Sequence, residues 1–257
     1  SVMSSPSIGF IGGGRIVSIF LAGWKPAGTM PASIMVNDPN PSVLSALQAA
    51  HPTVRSVDVA QSAGQEVVVL AVHPPVFKDV LPAVRSALKP SALVVSLAPK
   101  FTTGRIAEML DGFARVVRVI PNAPSLVGAG FNPVAFAPAV SAKDRDTVAQ
   151  LLRPLGEFPE VAESKLEAYA ILTAMGPTYV WYQLYELLAL GESFGLTAAE
   201  TQAGVARMLS GAMDTITRSG LRPEQVKDLI PVKPLAEIDP TVTEAYRSKL
   251  PALMEKL

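Results

Sequence analysis

No cysteine occurs among the 257 residues, and histidine occurs only at His51 and His73. Disulfides, thiolate metal sites and cysteine nucleophiles are therefore excluded, and two isolated histidines give no metal centre to expect. The lack of cysteine does not fix a compartment. Charge is scarce and balanced: 22 Lys and Arg against 22 Asp and Glu, net +0. With no basic run and no global field, nucleic acid is not an expected partner. No apolar run approaches the ~18 residues of a membrane span, and the start of the chain lacks a basic-then-apolar leader pattern. A cytoplasmic enzyme is the default expectation. No nucleophile elbow, Walker loop, internal repeat or low-complexity segment is visible.

What is present is a chain that is 49% hydrophobic, long enough for one large or two modest domains. Ile8-Gly9-Phe10-Ile11 reads as a buried strand that breaks into Gly12-Gly13-Gly14, with Ile16 onward continuing as a helix to Trp24. Gly12 and Gly14 match the first two glycines of the dinucleotide fingerprint: one permits a tight turn, the other leaves room for a pyrophosphate. The amides of Arg15 and Ile16 and the helix dipole would hold the anion. The third position, usually small, is Val17.

Strand and helix patterns then alternate. Strands are expected at 33–38, 54–57, 67–72, 93–97, 115–120 and 134–137. Helices are expected at 43–50, 58–63, 76–88, from Thr102 or Thr103 to 110, and at 144–152. That alternation predicts a parallel sheet covered on both faces, with ligands at the carboxyl ends of its strands. The strand-ending residues therefore draw attention: Asp38, Ala71-Val72-His73-Pro74, Ala98-Pro99-Lys100 and Pro121-Asn122. Asp38 is placed to accept hydrogen bonds from an adenosine ribose and to repel a 2′-phosphate, which favours NAD over NADP. Capping of the following helix, or a place in the Pro-rich turn, is the alternative for Asp38. His73 suits cofactor contact or proton transfer, or is simply part of a His-Pro turn. His51 is expected at the solvated surface.

From about Glu163 the strand patterns stop. Helices are expected at 163–175, 178–194, 198–219 and 223–230, with a last one beginning at Pro240 or Thr241. Val180, Trp181, Leu184, Leu187 and Leu188 give one of them a broad apolar face, which suits either a dimer interface or packing within the chain. The expected fold class is an α/β Rossmann dinucleotide-binding domain, residues 1–160, followed by an all-α dimerisation and substrate domain, residues 161–257.

The stretch Arg118-Val-Ile-Pro121-Asn122-Ala-Pro124-Ser-Leu-Val-Gly128 resembles the M-P-N-T-P-A-L-V-x-x-G element of pyrroline-5-carboxylate reductases. Other stretches agree in order: Ile8 to Gly14 with I-G-F-I-G-x-G, Ala71 to Pro74 with A-V-K-P, Gly176 to Val180 with S-G-P-A-Y-V, and Gly220 to Asp228 with H-P-x-x-L-K-D. The resemblance implies a nicotinamide cofactor, NAD or NADP, a helical dimerisation domain and hydride transfer to the C=N, or C=O, bond of a small substrate. It implies cofactor contacts at Gly12, Gly13, Gly14, Arg15, Ile16, Asp38, Ala71, Val72, His73, Pro74, Ala98, Pro121 and Asn122. It implies a homodimer through the C-terminal helices, with a higher oligomer left open. The departures lie at the substrate end. Where the family has S-P-G-G-T-T, Ile230-Pro-Val-Lys233-Pro-Leu-Ala236 stands. Met175, Thr178, Tyr179 and Lys233 are the candidate substrate and catalytic residues. In the family the hydroxyls and amides of the S-P-G-G-T-T loop hold the substrate carboxylate, so their loss favours a related imine or carbonyl substrate over pyrroline-5-carboxylate itself. A non-catalytic nucleotide-binding or redox-sensing protein on the same scaffold is the other alternative.

Overall fold

The computed structural model describes residues 5–257. The first four residues of the expected 1–160 domain, and part of the leader reading, lie outside the described residues. The sheet is built from short runs of β-branched and aromatic residues. In chain order these are β1 (Ile8–Ile11), β2 (Ile34–Asn37), β3 (Val54–Ser56), β4 (Val67–Leu70), β5 (Leu93–Ser96) and β6 (Val116–Val119), followed by β7 (Gly130–Phe131) and β8 (Val134–Phe136). β9 (Gly156–Glu157) pairs with β7 in a separate two-stranded sheet. The seven-stranded sheet has the order β3-β2-β1-β4-β5-β6-β8. All its pairs are parallel except β6–β8, where Val117 lies opposite Phe136. β8, expected to continue a parallel sheet, instead runs antiparallel at the edge.

β1, β4, β5 and β6 are buried along their whole length, as required of strands covered on both faces. One face carries α1 (Arg15–Trp24), α2 (Pro41–Ala50) and, later in the chain, α6 (Ala142–Leu152). Val17, Leu21, Trp24, Leu47, Val148 and Leu152 pack there with Ile8, Phe10 and Val119. The other face carries α3 (Val59–Ala63), α4 (Phe77–Ala87) and α5 (Thr103–Met109), with Phe77, Leu81, Val84 and Ile106 against Ile11, Val68 and Val94. Polar signals start the helices. Asn40, Asp58, Thr102 and Ser141 each accept a first-turn amide. His51 is buried rather than solvated, at 8% exposure. It closes α2, its amide donating to Leu47 O. Burial, with Lys25 adding, holds its imidazole below its ordinary value.

The chain divides into two compact units, one running to Met175 and including Leu257, the other Gly176–Lys256. The division falls later than the expected 160/161 boundary because the intervening segment packs on the first unit. α7 (Leu166–Tyr169) buries Leu166, and Leu166 and Ala170 meet Ile120 and Ala135. Residues 163–175 are not one continuous α-helix: α7 passes into a π-turn at Ala170–Ala174, where Met175 N–H donates to Ala170 O.

The second unit is all-helical: α8 (Pro177–Ser193), α9 (Ala198–Arg218), α10 (Pro223–Asp228) and α11 (Asp239–Met254). α8 and α11 bury no residue fully. Tyr182, Tyr185 and Phe194 are each more than 70% exposed, and Trp181, Met213 and Ile216 are also exposed.

A dinucleotide cleft at the sheet switch point

The chain leaves β1 toward β2 and β3, then returns to lay β4 on the opposite side of β1. The crevice at such a switch point is where open α/β sheets take ligands. Gly12 opens it. Its φ is +100°, and a Cβ there would stand 2.6 Å from Ala71 O, so only glycine serves. Gly14 differs: its backbone is extended, and a Cβ would meet nothing within 4 Å. It faces open space at the start of α1, a helix with no side-chain cap. The first-turn amides of α1, including Arg15 and Ile16, therefore point toward the same space. This cradle fits a pyrophosphate, which the glycine gap and the amides would hold. The missing small residue of the fingerprint does no harm, because Val17 turns inward and is fully buried against the sheet.

Asp38 follows β2 and bridges two turns. Gly13 N–H donates to its Oδ2 at 2.9 Å, and Asn40 N–H donates to its Oδ1 at 2.8 Å. The helix-capping alternative falls to Asn40, whose Oδ1 accepts from Ser42 N–H. Asp38 is half-buried at the mouth of the glycine turn, with the remaining lone pairs of its carboxylate oxygens available to hydroxyl donors.

A cleft of about 160 Å³ lies at the ends of β4 and β5, lined by Ile16, Ala71, Val72, His73, Pro74, Leu97, Ala98 and Pro99. The structure thus brings together Ile16 from the glycine helix, the whole 71–74 stretch and Ala98. Leu97 was not singled out from sequence; its position one residue past β5 was the available signal. His73 sits in extended backbone before a short 3-10 turn at Pro74–Val76, and its side chain does not cap that turn.

Pro121 and Asn122 end β6. Asn122 is buried and hydrogen-bonded within the fold: its Oδ1 accepts from Phe131 N–H at 2.8 Å, and its Nδ2 donates to Thr173 O at 3.1 Å. Next to it lies a group that the sequence did not signal. Arg118, 1% exposed on β6, donates to Glu167 Oε1 at 2.6 Å and to Glu163 Oε1 at 3.3 Å. Glu163 also accepts from the amide and hydroxyl of Thr103, and Glu167 accepts from Lys100 N–H at 3.0 Å. Burial works against the charged form of Glu167, but Arg118 and the Lys100 amide outweigh it and hold the carboxyl below its ordinary value. This ion cluster ties the β5–α5 turn to the segment that leads out of the unit.

Thr178, Tyr179 and Lys233 belong to the second unit. Thr178 and Tyr179 lie in the first turn of α8, where Tyr179 meets Tyr246 edge-to-face at 5.8 Å. Burial, with Tyr246 adding, raises the Tyr179 phenol above its ordinary value, so it is a hydrogen-bond donor at neutral pH. Lys233 lies in the wholly exposed stretch 231–240.

Set against known proteins, residues 7–100 match the family model for NADP oxidoreductase coenzyme F420-dependent. That match covers the glycine turn and the cleft. Pyrroline-5-carboxylate reductase of Escherichia coli (strain K12) is 27% identical over 226 residues, covering 87% of this chain and 84% of that protein. The reductase of Pisum sativum is 28% identical over 225 residues, covering 87% and 82%. The solved pyrroline-5-carboxylate reductase of Coxiella burnetii superposes with a TM-score of 0.69 at 26% identity, covering 98% of this chain and 94% of that one. Pyrroline carboxylate reductase of Plasmodium falciparum, solved with NADP bound, gives 0.73 at 22% identity, covering 99% and 95%.

Proposed function

We propose that this chain, an NAD(P)-dependent oxidoreductase that belongs to the pyrroline-5-carboxylate reductase family, reduces the C=N bond of a small cyclic imine bearing a carboxylate. Pyrroline-5-carboxylate, the substrate in its relatives' names, is the first to test. One observation carries the reading: Ile16, in the first turn of the uncapped glycine helix, lines the same cleft as Ala71–Pro74 and Leu97–Pro99. A dinucleotide anchored at Gly14 by its pyrophosphate would thus have its reactive end beside that cleft.

When bound, the reduced nicotinamide supplies the hydride. The chain's own residues bind and orient. Gly12 to Ile16 hold the pyrophosphate, and Asp38 accepts the ribose hydroxyls, which favours NAD. Ala71 to Pro74, Ala98 and Pro121 bound the nicotinamide side. Asn122 holds the end of β6 to the 170–174 turn and so fixes one wall. His73, at the cleft, can hydrogen-bond the substrate or its solvent. A protonated imine takes hydride at carbon and keeps its proton on nitrogen, so positioning is the main demand. Thr178, Tyr179 and Lys233, which belong to the helical unit, are proposed as further substrate residues.

We also propose a homodimer through the C-terminal helices. The support is the number of large apolar side chains on α8, α9 and the turn between them that this unit leaves exposed, Tyr182, Tyr185, Phe194 and Met213 among them. A cytoplasmic location is proposed because a reduced nicotinamide pool is held there.

Turnover of pyrroline-5-carboxylate with NADH and with NADPH tests the reading. Imine-dependent loss of absorbance at the reduced nicotinamide band is expected. Tight cofactor binding with no turnover across a panel of cyclic imines and keto acids would favour a non-catalytic redox sensor instead.

A further inference from the structure

Beside the cleft, and sharing Pro74 with it, lies a second cavity of about 450 Å³ lined by Pro74, Pro75, Lys78, Lys100, Phe101 and Arg105. Three of the six are cations and none is an acid. The nearby acids are Glu167, which accepts the Lys100 N–H and is paired with the buried Arg118, Asp79, next to Lys78 in sequence, and Glu108, which pairs with Arg105 at 3.0 Å on an exposed helix turn. An exposed pair of that kind neutralises little. The other walls are apolar and ordered: Phe101 stacks on the buried Phe77 with ring centroids 4.8 Å apart.

Lys100 is the unusual member. Its φ is +84°, a left-handed backbone that glycine takes without strain and a long side chain does not. Lys100 is the centre of a tight local turn, with Phe101 N–H donating to Pro99 O at 3.1 Å. The turn is tied to the interior, since Lys100 N–H donates to Glu167, which is clamped by the buried Arg118. Strained residues held in place by their surroundings concentrate at ligand sites. Here the strained residue carries a cation and lies two residues after Ala98, which lines the cleft.

We propose that this cavity is the anion subsite for the substrate, with Lys100 as its specificity-determining residue and Lys78 and Arg105 as supporting cations. The ligand class is a small ring or short chain carrying a carboxylate. Its apolar body would lie against the two prolines and Phe101, and its reacting carbon toward the His73 cleft. The assignment rests on the reductase reading above for the identity of the reaction, and on the cavity alone for the binding of an anion.

The test uses K100G, because glycine suits this backbone and removes only the cation, together with K100R. With pyrroline-5-carboxylate, K100G should raise KM about tenfold or more with a much smaller change in kcat, as expected for loss of one charged hydrogen bond. K100R should restore most of the loss. Affinity for NADH and NADPH should not move in either variant. A weakened cofactor affinity would assign the cations to a cofactor phosphate and overturn the proposal, as would an unchanged KM in K100G. A second readout does not need turnover. Amide spectra of the cofactor-free protein, titrated with sodium acetate at constant ionic strength, should show saturable shifts at Lys100 and Phe101 that K100G abolishes. No saturable response in the wild type overturns the subsite. A saturable response in a protein that fails to reduce the imine would sink the proposed reaction and leave the anion site standing.

Discussion

Asn122 and Thr173, 51 residues apart, are joined by a 3.1 Å hydrogen bond from the Asn122 side-chain amide to the Thr173 carbonyl. Pro177, four residues after Thr173, has no N–H to offer that carbonyl. The bond therefore links the end of β6 to the π-turn that precedes α8, and so links two stretches that carry the family resemblance. Replacing Asn122 with Ala also strips Phe131 N–H of its acceptor. Stranding a buried polar group costs about 1–3 kcal/mol, so N122A should lose roughly 2–4 kcal/mol in urea unfolding. An unfolding midpoint equal to wild type would show that the bond contributes nothing.

The two glycines that bracket the turn should respond differently to the same change. G12A places a Cβ 2.6 Å from Ala71 O in a left-handed backbone, so it should lower the melting temperature clearly, by more than about 2 kcal/mol in stability. G14A meets nothing within 4 Å and should melt like wild type. Its methyl group would instead occupy the proposed pyrophosphate cradle. Cofactor affinity, followed by fluorescence of the reduced nicotinamide, should fall about tenfold, near 1.4 kcal/mol. Unchanged affinity in G14A would remove the anion from this turn.

Asp38 gives a prediction about cofactor choice. Its carboxylate would repel a 2′-phosphate at close range, and interactions of a few kcal/mol are available there. D38S should shift the ratio of NADPH to NADH affinity toward NADPH by about tenfold. The melting temperature serves as the control, because Asp38 also receives the Gly13 and Asn40 amides. If the ratio stays put while the protein remains folded, Asp38 serves the turns alone.

How far the chain could be read before folding depended on whether the signal was local. The β-branched run of β4, the glycine break after β1 and the acid after β2 are neighbours in sequence and were legible there. So was the convergence of Ala71–Pro74 and Ala98 at strand ends, because doubly wound topology places such ends together. Arg118 was not legible as an interior charge. It looked like a polar residue in a strand, and its partners Glu163 and Glu167 come 45 and 49 residues later. The π-turn within 163–175 was hidden for a related reason, since its apolar residues suit an α-helix and the i→i+5 bond leaves no compositional mark. His51 read as surface because it precedes a proline in a loop; its burial depends on tertiary packing. In sequence Lys100 is only the last residue of a strand end, Ala98-Pro99-Lys100. No glycine or asparagine announces a left-handed backbone there; the turn closes through Phe101 N–H to Pro99 O and is tied to Glu167 from another segment.

The ion cluster around Arg118 yields the prediction most sensitive to pH. Arg118→Met would leave Glu163 and Glu167 without their shared cation, and removing one partner from a buried ion cluster costs about 3–5 kcal/mol. E167Q keeps the Arg118–Glu163 pair and should cost less, about 1–3 kcal/mol. The sign of the pH effect follows from the Glu167 carboxyl, which in the folded protein lies below its ordinary value of 4.5. As the pH falls through that ordinary value, the unfolded chain takes up a proton before the folded one does. The stabilisation is therefore complete above about pH 5 and is lost progressively as the pH drops through the folded value. Stability measured by chemical denaturation between about pH 6 and pH 3 should fall more steeply for wild type than for E167Q, and the two curves should converge at the acid end. Parallel curves would mean that Glu167 titrates alike in both states, and that its bonds to Arg118 and Lys100 do not stabilise its charge.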